Sequence, residues 1–126
     1  MKTLKKKNSI RATSVAISKG VRSSIAIGDF IDEFKSADKE KRELMVLHPP
    51  IGEKHQKIPV YLASVAEYLC RKYNLAVPKW TKGYYLPQPF FYGPDNPDLR
   101  AVLLVESPIA FRKRNIFISA NGMDRC

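Results

Sequence analysis

The chain has 126 residues, 44% of them hydrophobic and 27% charged. That is the composition of a globular domain able to bury roughly two-thirds of its unfolded surface without staples. Its two cysteines, Cys70 and Cys126, form no disulfide framework, Cys-x-x-Cys motif or metal ladder. No run reaches the roughly 18–20 apolar residues of a membrane span, so the expectation is a cytoplasmic protein with reduced thiols and no membrane partner.

The net charge of +10 is unevenly placed: residues 1–28 carry seven cations and no acid, and residues 29–126 carry fifteen cations and twelve acids. Lys2, Lys5, Lys6 and Lys7 imitate the start of a signal peptide, but Arg11, Lys19 and Arg22 interrupt the stretch where its apolar core would lie. Residues 1–23 therefore read as a basic, disordered leader. An arm of this kind either lends salt-sensitive affinity for phosphate backbones or simply solubilises the terminus. Residues 24–126 read as one helical domain.

Ser23 or Ser24 can cap the first domain helix. Ile27, Phe30, Ile31 and Phe34 then fall at i, i+3, i+4 and i+7 to make an amphipathic stripe. Ser36 or Asp38 breaks this helix and starts a second over residues 38–47. That helix turns Leu44, Met45 and Leu47 inward and ends at Pro49-Pro50. Pro59 suits the first turn of a third helix over residues 59–73. Leu62, Val65, Ala66, Leu69 and Tyr73 form its stripe, with Cys70 beside them as a small core residue. Glu67 and Arg71, at i and i+4, are expected to pair on its outer face. Asn74 is a fair C-cap, and Pro78 stops any continuation.

Residues 75–97 crowd Trp80, Tyr84, Tyr85, Phe90, Phe91 and Tyr92 among five prolines. A loop this apolar must wrap over the helices and supply core, or else offer a stacking platform beside Lys79 and Lys82. A fourth helix over residues 97–105 is apolar nearly all round, which predicts a central position. Ser107-Pro108 restarts the chain as a short helix to about residue 113. Residues 116–118 are extended, and Ser119 caps a last turn. The fold class is mainly α: five or six short helices, a long aromatic and proline loop, and a flexible basic N-terminal arm.

Catalytic signatures are sparse. His48 and His55 are loop histidines seven apart with no acid–His–Cys cluster nearby in sequence, so no metal and no cofactor is expected. The six glycines are scattered, with no phosphate-loop or dinucleotide spacing. The densest chemistry lies in residues 105–121, where Glu106, Arg112, Lys113, Arg114 and Asn115 interleave with Ile109, Phe111, Ile116 and Phe117. Arg114 and Asn115 look like partners for a buried carboxylate or free carbonyls, with Glu106, Asp95 and Asp98 as the candidate acids. Glu106, Arg112, Arg114 and Asn115 thus form the candidate structural or contact network. Lys5, Lys6, Lys7, Arg11, Trp80 and Lys113 are the candidate partner or nucleic-acid contacts.

The tail Glu106-Ser107-Pro108-x-x-Phe111-Arg112-x-Arg114-Asn115-Ile116-Phe117-Ile118 resembles that of a small bacterial family of uncharacterised helical proteins. Looser matches lie at Tyr61-Leu62-Ala63, Pro78-x-Trp80 and Leu99-Arg100-Ala101. Similar segments come after helix-turn-helix regions in antitoxin-like regulators, whereas this chain has only a basic leader in that place. The resemblance implies a non-catalytic, antitoxin-like module that binds a protein partner, with the arm adding nucleic-acid affinity; it carries no catalytic residue. The alternative is an enzyme or small-ligand sensor with a pocket between the aromatic loop and Arg112/Arg114. Oligomeric state is not legible.

Overall fold

The computed structural model describes residues 8–91, 104 and 106–118. The fold is mainly helical, as expected, with one two-residue strand pair among the described residues. The chain divides into two compact units, with the boundary between Ile51 and Gly52.

The N-terminal unit holds α1 (Ile10–Ser18), α2 (Ser23–Ser36) and α3 (Lys39–Met45). The disordered leader expected up to residue 23 is corrected by α1, which packs on α2 and buries Ile10 completely. Local hydrogen bonding explains why a polar stretch folds here. Ser9 caps the helix by accepting from the Ala12 amide at 3.0 Å. The buried hydroxyl of Ser14 donates to Arg11 O at 2.7 Å and accepts from Ile51 N at 3.0 Å. Thr13, also buried, reaches Asn8 Oδ1 at 3.1 Å. Two of the inward positions are therefore hydroxyls, and the helical period is invisible to hydropathy.

α2 buries the predicted stripe of Ile27, Phe30, Ile31 and Phe34. α3 is capped by Asp38, whose carboxylate accepts from Lys41 N at 2.9 Å. It ends at Met45 instead of at the proline pair. Met45 and Val46 are buried, and Leu44 and Leu47, expected inside, are each 54% exposed.

The C-terminal unit is built on α4 (Lys57–Lys72), buried on nearly every side from Pro59 to Glu67. α4 closes in a Schellman motif: Asn74 takes a left-handed φ of 60°, and the Leu75 amide donates to Cys70 O at 2.7 Å. The aromatic loop comes next as a 3-10 turn, Lys79–Thr81, and strand β1, Phe90–Phe91. α5 (Ile109–Arg112) packs on α4, with Phe111 edge-on to Tyr61 at 5.3 Å. Strand β2 (Ile116–Phe117) pairs in parallel with β1, and Phe91 stacks on Phe117 at 4.8 Å.

The loop is docked by its backbone as well as its rings. Leu86 N donates to Arg114 O at 3.1 Å and Phe90 N to Asn115 O at 2.8 Å. Asn115, itself at a φ of 68°, donates from Nδ2 to Leu86 O at 2.7 Å. Thr81, Tyr84 and Leu86 are buried, so the loop supplies core, although Tyr85 remains half-exposed. The expected helix over residues 97–105 lies outside the described residues apart from Leu104, which is half-exposed instead of central.

Candidate functional site

The principal polar cluster of the C-terminal unit is centred on Glu67. The sequence places this residue on the outer face of its helix, paired with Arg71. The pairing forms, with Arg71 Nε donating to Oε2 at 2.8 Å, but the carboxylate is completely buried. Burial is tolerable because two further cations arrive from the tail. Lys113 Nζ lies 2.8 Å from Oε1 and 2.9 Å from Oε2. Arg114 Nη1 lies 2.7 Å from Oε1. The Oε1 contacts have the angles of ion pairs and not of directed hydrogen bonds.

Desolvation alone would raise the Glu67 pKa. Contacts with Lys113, Arg114 and Arg71 outweigh it and hold the carboxyl at about 2, below its ordinary 4.5. Glu67 is thus ionised throughout the physiological range. Arg114 is buried with it and also donates from Nη1 to Ala110 O at 2.7 Å and from Nη2 to Thr81 O at 3.0 Å. These bonds tie α5 and the 3-10 turn to one side chain. Arg114 Nε is buried with no hydrogen-bond partner among the described residues.

The predicted acid for Arg114 is therefore corrected. Glu106 is exposed, Asp95 and Asp98 lie outside the described residues, and the acid that meets Arg114 is Glu67. Arg112 and Arg114 diverge: Arg112 closes α5 and is exposed, and Arg114 turns inward. Asn115 serves the network through the Leu86 carbonyl. Among the candidate contacts, Lys5, Lys6 and Lys7 lie outside the described residues. Arg11 is exposed and donates to Pro49 O at 3.0 Å. Trp80 is half-buried, edge-on to Tyr84 at 5.7 Å.

A cleft of about 470 Å³ opens beside the Glu67 cluster, walled by Pro78, Thr81, Tyr84 and Tyr85 of the aromatic loop. Arg71, Lys82, Lys113 and Arg114 also line it, and Arg112 does not. A second recess, of about 550 Å³, lies in the N-terminal unit. It is lined by Leu44, Met45 and Leu47 together with Asp38, Glu40 and Lys41. Among the described residues no cluster of His, Cys, Asp or Glu suits a metal ion, and no helix is long and apolar enough to cross a membrane.

No protein-family model matches the chain, and no curated protein or solved structure is significantly similar to it.

Proposed function

We propose that this chain is a non-catalytic interaction module, of the antitoxin-like kind its tail resembles, that binds a segment of a protein partner in the cytoplasm. One observation carries the reading: Leu44 and Leu47 stand half-exposed over the recess of the N-terminal unit. Half-exposed apolar side chains bordered by charged ones are what a protein interface presents. The rim also indicates the partner. Asp38 and Glu40 outweigh Lys41 around the recess, so a cationic chain presents a locally acidic edge. An apolar segment flanked by basic residues is complementary to it. Glu67 supports the non-catalytic half of the proposal, because a carboxyl held near 2 by three cations does not exchange protons at neutral pH.

The products of neighbouring genes, co-expressed with this chain, are the natural partners to test by size exclusion. A stable complex is expected with one of them. The double variant Leu44→Asp, Leu47→Asp should weaken it at least about tenfold, the loss of roughly 1.4 kcal/mol. Both side chains are half-exposed, so helix content by circular dichroism should not change. A complex that tolerates both aspartates sinks the reading, as does the absence of any complex. Auxiliary nucleic-acid affinity belongs to the basic arm in this proposal. Since α1 begins at Ile10, replacing Lys5, Lys6 and Lys7 with glutamine tests the arm without altering a residue of α1.

A further inference from the structure

The cleft of the C-terminal unit has a composition that its structural role does not explain. Four cations line it, Arg71, Lys82, Lys113 and Arg114, against the single carboxylate of Glu67, which leaves three positive charges in excess. A cluster needed only to neutralise a buried acid would not gather this surplus. Like charges drawn together repel, and that cost is relieved when an anion arrives.

The cations are also presented in an unusual way. Arg71 is fixed through Nε to a carboxylate that cannot move, yet its side chain is 58% exposed. Its Nη1 and Nη2 groups have no hydrogen-bond partner among the described residues. A guanidinium anchored at one edge with its terminal fork open is pre-organised for a planar pair of acceptor oxygens. Lys113 shares the same carboxylate and is 47% exposed. Lys82 is exposed, and its ammonium has no partner among the described residues. Arg114 also lines the cleft, and its Nε, buried, has no hydrogen-bond partner among the described residues.

We infer that this cleft is a binding site for a phosphate monoester, gripped by the open fork of Arg71 together with the ammonium groups of Lys82 and Lys113. A phosphate dianion matches the surplus charge better than a single carboxylate, and its three terminal oxygens suit one fork and two point charges. The cleft, at about 470 Å³, is larger than a bare phosphate requires and is of the size that holds small organic ligands. Tyr85, 49% exposed, lies on its wall with His55 packed against its ring at 4.8 Å, so an ester carrying an aromatic group would meet an aromatic wall as well. The site lies in the C-terminal unit and is independent of the partner reading built on Leu44 and Leu47.

Titration calorimetry on the full chain at low ionic strength tests this, with inorganic phosphate and adenosine monophosphate as the two probes and acetate as control. Saturable 1:1 binding of at least one phosphate is expected, with a dissociation constant below about 1 mM, and acetate should bind far more weakly. Adenosine monophosphate binding tighter than inorganic phosphate identifies an aromatic ester; equal affinities identify the phosphate group alone as the determinant. Lys82→Ala removes a side chain with no partner among the described residues, and Arg71→Lys keeps a cation beside Glu67 but removes the fork. Each should weaken binding about tenfold with unfolding curves unchanged for Lys82→Ala. Acetate binding as tightly as phosphate overturns the assignment, as does no heat from either phosphate at millimolar concentration, or unchanged affinity in Lys82→Ala and Arg71→Lys.

Discussion

Arg42 in the N-terminal unit and Arg114 in the C-terminal unit solve the same problem under different conditions. Arg42 donates from Nε to Phe34 O and from Nη2 to Lys35 O, both at 2.8 Å, satisfying carbonyls at the end of α2. Arg114 likewise satisfies the carbonyls of Ala110 and Thr81. Arg42 is only half-buried, whereas Arg114 is 3% exposed. A cation that deep costs several kcal/mol unless an anion accompanies it. Glu67 is that anion, and its own burial then demands Arg71 and Lys113. The N-terminal unit is held by an apolar stripe with carbonyl caps; the C-terminal unit is held around a charge cluster in which each member requires the others.

The largest expected effect comes from breaking that mutual requirement. Glu67→Gln keeps the shape of the side chain but leaves Arg114 buried beside two cations, and should cost about 3–5 kcal/mol of stability. Trp80, the single tryptophan, sits in the C-terminal unit and reports its unfolding in denaturant. The double variant Glu67→Leu, Arg114→Met removes both buried charges and should recover much of the loss. A loss below about 1 kcal/mol in Glu67→Gln would show that the cluster does not hold the unit.

Acid should act on the same contrast more gently. The Glu67 carboxyl titrates at about 2 when folded against 4.5 ordinarily, so the unfolded chain binds the proton first. The contribution is complete above pH 4.5 and is lost as pH falls towards 2, with a total on the order of 3 kcal/mol. Melting temperature against pH should therefore slope upward across this window in the native chain, and the slope should be flatter in Glu67→Gln. Parallel profiles would place the acid sensitivity elsewhere.

How far the sequence reveals each element depends on where its signal is written. The α2 stripe, the Asp38 cap, the Asn74 terminus and the extended piece at Ile116 are local, and period or capping chemistry exposes them directly. The charge cluster depends on contacts distant in sequence. Glu67 and Arg71 look like any solvent-facing i, i+4 pair until Lys113 arrives from 46 residues away. Nothing local to Arg114 points back to α4, so the acids near residue 106 look like its natural partners. A signal did exist: Glu67 lies one helical turn from Ala63 and Cys70 and is flanked by Ala66 and Tyr68, an apolar setting for an outward carboxylate. α1 is hidden for a different reason, since hydrogen-bonded hydroxyls, those of Thr13 and Ser14, occupy buried positions on it. Leu44, within α3, and Leu47, beyond its end, are exposed while Met45 and Val46 are buried, a choice among neighbouring apolar residues that period cannot make over so short a helix.

The smallest test returns to the N-terminal arginine. Arg42→Met retains the stem that packs near Phe34, where the guanidinium carbon lies 5.5 Å from the ring centroid, and removes the two bonds to Phe34 O and Lys35 O. Those carbonyls end a helix, and water can replace the guanidinium because the site is only half-buried. The expected loss is therefore about 1 kcal/mol. The same substitution at Arg114 strands two buried carbonyls and removes one of the three cations on Glu67, so its cost should be at least about twice as large. The ratio of the two losses, measured in one denaturant series, weighs the buried carbonyls and buried ion pair of Arg114 against the half-buried caps of Arg42. Equal losses would mean that burial of the charge adds nothing to the carbonyl caps, and the distinction between the units would reduce to one of packing.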